Sequence, residues 1–374
     1  MKKRALCLQG GGAKGAFQAG ALKALTERGY KYDCAVGASV GALNAAMYAL
    51  GKTDELFDLW KELDFPDVLP VERKEGGEKL SLLSIASSAI GAIRSGVDTV
   101  KIRAIIEKYV DEDALRASSI RFGLVTVQDG KPRVLRKLFI EDIPQGKLVD
   151  VMMASAALPF FKKVEIDGIR YFDGGMMDNL PIAMLAEAGY RDVTAIRLGG
   201  DIRYAGGPLM KITYIDPSES PGHTVLFANS AISRSLQLGY YDVLRMLDGL
   251  CGKKYYIKPF GERKLLRSLK GRKERVKNAL ETVGVAIGGR FKEQLALLTY
   301  VLSEALGVLG DFKEVWIAFA EYVAKENGIN RWRVYTMEEL LVAASKGVRE
   351  EEIKEETKRK AIKIARVLFG EERQ

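Results

Sequence analysis

Cys34-Ala35-Val36-Gly37-Ala38-Ser39-Val40-Gly41-Ala42-Leu43-Asn44-Ala45-Ala46 is the stretch on which the reading of this chain turns. Cys34–Gly37 is a short apolar run and reads as a buried strand. Val40–Leu50 is small and apolar and reads as a buried helix. Between them, Gly37-Ala38-Ser39-Val40-Gly41 fits G-x-S-x-G, the pattern of a serine held out on a sharp strand-to-helix turn. Such a turn is crowded, so glycines two residues either side of Ser39 remove Cβ atoms that would clash. The helix behind it points its positive end at the serine, which favours an oxyanion there. The pentapeptide alone arises often by chance; a strand before it and a helix after it give it weight.

Working upstream, Ala5–Leu8 reads as a first strand and Ala13 to about Arg28 as a helix. Gly10-Gly11-Gly12-Ala13-Lys14-Gly15 lies between them and offers consecutive backbone N–H groups to an anion. Two readings compete beside a plain glycine turn. One is an oxyanion hole. The other is a dinucleotide fingerprint, G-x-G-x-x-G, with Asp33 as the ribose ligand. The second is disfavoured, because Asp33 precedes the second strand and Ser39 with its glycines occupies the strand's end. Lys14 is followed by Gly15, which excludes a P-loop. Strand, glycine loop, helix, strand, sharp turn, helix: the alternation argues for a mostly parallel α/β sheet between helices.

Downstream, Arg121–Val127 and Val134–Phe139 read as a hairpin around Asp129-Gly130, and Leu148–Ala157 as a helix. Lys162–Ile166 and Ile169–Phe172 are strands around Asp167-Gly168, and Val193–Leu198 is another. Thr224–Leu247 is one long helix and Tyr255–Lys258 a last strand, after which only helical patterns follow. This predicts a catalytic domain over 1–260 and a helical, basic extension over 261–374. Residues 1–200 hold 28 Lys and Arg against 26 Asp and Glu, whereas the remainder holds 30 against 23, so most of the +9 charge sits in the second half. A basic half suits an acidic partner, either an anionic lipid surface or nucleic acid, and equally a plain solvated surface. Within it, Lys253–Lys277 is dense in Lys and Arg, with Leu265, Leu266 and Leu269 interleaved. It reads as a solvated face or as a dock for anionic headgroups. Leu80–Gly96 is nearly uncharged and reads as a core helix pair, a lid or an acyl-chain wall. No apolar run is long enough for a membrane span or a signal h-region, so a cytoplasmic protein is expected, with Cys7, Cys34 and Cys251 as free thiols.

An ordinary serine triad needs an imidazole, and the chain has a single histidine, His223, in a polar stretch that reads as a loop and helix start. If Ser39 is a nucleophile, its base then falls to a carboxylate. Asp173 is the candidate, because it follows an apolar strand, where α/β enzymes place catalytic groups, and Gly174-Gly175 allow close approach. The same three residues also make an ordinary turn.

Gly10–Gly15, the Gly37–Gly41 elbow and Asp173-Gly174-Gly175 resemble, in order and rough spacing, the patatin-like phospholipases. Ala154-Ser155-Ala156-Ala157-Leu158-Pro159 and Asp178-Asn179-Leu180-Pro181 are similar to two further blocks of that family, and the likeness covers about residues 4–260. The resemblance implies a modified α/β-hydrolase fold and a Ser39–Asp173 dyad acting on fatty-acyl esters of lipids, as a phospholipase A or lysophospholipase does. It implies an oxyanion hole from Gly11, Gly12 and the residues around them, Gly10, Ala13, Lys14 and Gly15. It gives Gly37, Gly41, Gly174 and Gly175 supporting roles and requires no metal or cofactor; Ser155, similar to the family's block serine, reads as a helix-packing rather than a catalytic residue. The expected partners are a lipid or acyl-ester substrate and an anionic membrane surface, with no nucleic acid. The competing readings are a general carboxylesterase or thioesterase, a nucleotide-binding oxidoreductase using Gly10–Gly15, and a membrane scaffold with an idle site.

Overall fold

Short, mostly apolar runs make the first strands, and a parallel sheet covered on both faces is where such strands are stable. The computed structural model describes residues 3–63, 99–158, 161, 164–204, 209–224, 228–285, 288–346 and 356–370. Leu80–Gly96 lies outside them. Two compact units divide the chain, Met1–Val243 and Leu244–Gln374.

Among the described residues, the sheet of the first unit contains β1 (Arg4–Leu8), β2 (Cys34–Ala38), β3 (Arg121–Gln128), β4 (Val134–Phe139), β5 (Val164–Ile166), β6 (Ile169–Asp173), β7 (Asp192–Ile196) and β8 (Lys211–Ile215). Their order is β5-β6-β3-β2-β1-β7-β8, with β4 also paired to β3. β3, β2, β1, β7 and β8 are parallel to one another; β4, β5 and β6 are antiparallel additions. The mostly parallel α/β sheet is thus as expected. β8 is the strand that sequence reading passes over. It is an edge strand, half-exposed along most of its length, so its apolar pattern is weak.

Register places the site. β2 pairs with β3 up to Ala38↔Val125. β6 pairs with β3 from the opposite direction and ends at Asp173↔Thr126. β4 occupies the other edge of β3 over Gly123–Gln128. β2 and β6 therefore share one edge of β3 and meet head-on at consecutive rungs. The residue that leaves β2, Ser39, and the residue that ends β6, Asp173, are brought together by this junction.

Three helices support it. α1 (Gly15–Glu27) follows the glycine loop, α2 (Val40–Ala49) follows Ser39, and α3 (Thr53–Glu62) is amphipathic with Leu56, Leu59 and Trp60 buried.

The second unit is mostly helical, with a core around Trp316, Phe319, Leu298 and Leu302. The expected boundary near residue 260 falls inside it. There β9 (Tyr256–Ile257) pairs in parallel with β10 (Val334–Tyr335), a two-residue strand in a region that reads as wholly helical. The helix Glu262–Lys270 buries Leu265 and Leu269 in this core. Of the three leucines in the basic segment, only Leu266 faces out, beside the exposed Arg263, Lys264, Arg267 and Lys270. No helix among the described residues is long and apolar enough to cross a membrane.

Candidate active site

Ser39 has φ 53° and ψ −127°, a left-handed backbone that a residue with a Cβ rarely adopts. Its flanking glycines explain how the turn closes. A Cβ on Gly37 would overlap the backbone of Gly41, and a Cβ on Gly41 would overlap the carbonyl oxygen of Leu8, so both positions need glycine. The Ser39 amide donates to Ser155 Oγ at 3.1 Å.

Asp173 is buried, 3% exposed. Its Oδ1 accepts from Gly175 N at 2.7 Å, while Oδ2 is buried without a full hydrogen bond. Burial pushes the carboxyl up to about 6, and the neighbouring Ser39 hydroxyl and the Gly175 N–H pull it the other way. Gly174 sits so close over the carbonyl of Val125 that a Cβ would overlap it. The base and nucleophile expected from sequence are therefore adjacent.

The glycine loop faces the same cavity, but most of its amides are already committed. Gly10 N donates to Asn179 O at 3.1 Å, Ala13 N to Thr224 O at 2.8 Å and Lys14 N to Gly11 O at 3.3 Å. Gly15 N returns to Ala13 and Gly12 carbonyls. Among the described residues no partner takes the N–H of Gly11 or Gly12. Gly12 has φ +56° and a Cβ there would overlap Thr224 O. Asn179 also donates to Gly10 O at 3.1 Å, so the second of the lesser sequence blocks pins the loop.

The cavity is about 290 Å³, and Lys14 and Asp173 are the charged residues on its wall, with Leu158, Met176 and Leu198 as apolar ones. His223 is exposed and is not part of that wall. Asp33 accepts from Arg4 N at 2.8 Å, at the end of β1 and β2 remote from the glycine loop, which is no place for a ribose ligand. No cluster of His, Cys, Asp and Glu among the described residues is placed to hold a metal.

Sequence reading missed the amides that hold this frame. Asn44 of α2 donates to Gly15 O at 3.0 Å and to Gln18 Oε1 at 2.9 Å, and accepts from Trp60 Nε1 at 3.0 Å. Gln18 of α1 donates to Gln9 O at 2.7 Å. Both side chains are fully buried. For Asn44 the available signal was a lone amide in an otherwise apolar helix, because a buried amide must be hydrogen-bonded.

The sequence matches the family model described as patatin-like phospholipase over residues 6–186. It is 30% identical over 199 residues to an uncharacterized NTE family protein of Mycobacterium tuberculosis, covering 52% of this chain and 49% of that protein. The chain thus matches about half the length of this relative. It is 26% identical over 195 residues to the lysophospholipase NTE1 of Mycosarcoma maydis, covering 52% of this chain and 10% of that one. A solved structure, VipD from Legionella pneumophila, aligns over 98% of this chain and 91% of its own at 15% identity, with a TM-score of 0.42. By its motifs in order and by the match to the family model, residues 6–186 are a patatin-like phospholipase domain.

Proposed function

We propose that the chain is a lipid acyl hydrolase of phospholipase A or lysophospholipase type, working through Ser39 and Asp173. The observation that carries this is a serine on a strained elbow beside a buried, proton-hungry carboxylate, in a cavity that also presents two unspent amides. Ser39 Oγ attacks the ester carbonyl as Asp173 takes its proton, and Gly11 N–H and Gly12 N–H receive the oxyanion. The alcohol leaves with the proton returned by Asp173. Water then attacks the acyl-enzyme, again with Asp173 as base, and releases the fatty acid. A hydrolysis panel of p-nitrophenyl esters of rising chain length, phospholipids and lysophospholipids tests the reading. Rates that rise with acyl length and extend to phospholipids support it. Hydrolysis confined to short esters favours a general carboxylesterase, a reading supported by the small cavity that the described residues enclose.

The proton bookkeeping gives a pH profile. Asp173 acts as base only when ionised, so with its carboxyl raised to about 6 the rate falls as pH drops through that value. We expect kcat/KM for a soluble ester to lose about tenfold per pH unit below roughly 6 and to stay flat above 7. His223→Ala should keep the same profile, since the imidazole lies off the cavity wall. A profile that changes shape in His223→Ala would assign proton transfer to the histidine.

Gly12→Ala should lower kcat by ~100-fold or more, the usual worth of an oxyanion donor. The added Cβ must push away from Thr224 O and takes the Gly12 amide with it. Steady-state kinetics with circular dichroism checks this; full turnover by the folded variant would make the loop a turn only.

A further inference from the structure

The Ser155 hydroxyl lies between the backbone of Ser39, where the chain leaves β2, and that of Val125 in β3. We infer that Ser155 is a positioning residue for the nucleophile, locking the strained elbow onto the strand against which Asp173 is registered. The inference rests on Ser39 being the nucleophile, as proposed above.

Ser155 is the last residue of the helix Leu148–Ser155 and is fully buried. Its Oγ accepts from Ser39 N at 3.1 Å and donates to Val125 O at 2.7 Å. Val125 is the register partner of Ala38, the last residue of β2. The next residue, Thr126, is the partner of Asp173. The hydroxyl thus stands in for a ladder hydrogen bond where β2 turns away from β3. Gly174 rests on the same Val125 carbonyl, so the nucleophile's amide and the base's turn refer to one atom.

The chemistry of the position calls for a hydroxyl. It must accept and donate at once, between two buried backbone groups, from a short side chain, and Ser or Thr does this. Alanine would fill nearly the same space and leave the Ser39 amide and the Val125 carbonyl without this link. Ser39 is held at φ 53° on a residue that disfavours it, so a lost tether lets the elbow relax toward an ordinary backbone. A relaxed elbow moves Oγ relative to Asp173 and to Gly11 and Gly12. Substrate binding, which depends on the rest of the cavity, is unaffected.

The test compares wild type, Ser155→Ala, Ser155→Thr and Ser39→Ala on one soluble p-nitrophenyl ester, with circular dichroism and the rate of fluorophosphonate labelling. Ser155→Ala should lose about 10–100-fold in kcat, the cost of a small misplacement of a reacting group, with KM within about twofold. Labelling should slow by a similar factor, and Ser155→Thr should recover most of both. Ser155→Ala with wild-type kcat and labelling, or Ser155→Thr as poor as Ser155→Ala, overturns the inference. If Ser155→Ala does not fold, Ser155→Cys takes its place. Its thiol keeps the volume but is a weak donor and acceptor, and wild-type rates from it count against the hydroxyl. An active Ser39→Ala is a different result, because it removes the nucleophile itself and with it the proposed function.

Discussion

Ser39→Ala is expected to lower ester hydrolysis by ~10⁴-fold or more and to abolish fluorophosphonate labelling, the scale on which loss of a serine nucleophile is felt. The substitution removes one atom. The Cβ that the elbow already accommodates at φ 53° stays, and so does the amide that donates to Ser155. The variant should therefore fold as the wild type does, and its loss of rate reports chemistry alone. Oxyanion donors and binding can leave residual catalysis over water, so a small background is expected rather than zero. Full hydrolysis by the purified variant, or an adduct on another serine, would falsify the assignment.

Asp173→Asn should lose ~1,000-fold or more in kcat/KM, as removal of a catalytic base does, and become more stable at neutral pH. The second half follows from linkage. The folded carboxyl is raised to about 6, above its ordinary value of 3.8. The folded state therefore holds a proton that the unfolded state has released between those values, and stability falls as pH rises through that window. Above about 6 the cost is fully present; below about 4 it is gone. Asn carries no charge to desolvate and can keep the acceptor that Gly175 N–H uses. We expect a gain of about 1–3 kcal/mol at pH 7–8 and little or none at pH 4, read by thermal melts at both. A variant no more stable than wild type at pH 8 would mean that the carboxylate is not held at a cost.

The parts of the site that were legible in sequence are those where backbone geometry leaves few choices of residue. Gly37 and Gly41 are demanded by overlaps with Gly41 and Leu8 backbone, and such demands show as a spaced motif. Parallel core strands such as Cys34–Ala38 show as apolar runs because both faces are covered. What was not legible depends on tertiary partners. Ser155 reads as a small packing residue until Ser39 N and Val125 O are placed either side of it. Which loop amides stay unspent depends on Asn179 and Thr224, far away in sequence. Asn44 and Gln18 are hidden by the apolar helices that carry them. β8 has too little buried surface to write a pattern.

The head-on meeting of β2 and β6 along one edge of β3 has a consequence for how this site tolerates insertion and deletion. Ser39 and Asp173 are spaced by a ruler whose divisions are strand residues, about 3.3 Å each, with the side chain changing face at every mark. Lengthening the Asp167-Gly168 tip of the β5–β6 hairpin leaves Asp173 opposite Thr126. Adding one residue between Ile169 and Asp173, if the pairing slips to absorb it, turns the carboxyl to the other side of the sheet. A library of single-residue insertions across 164–175 should therefore divide sharply, with active clones at the tip and inactive but folded clones within the paired residues.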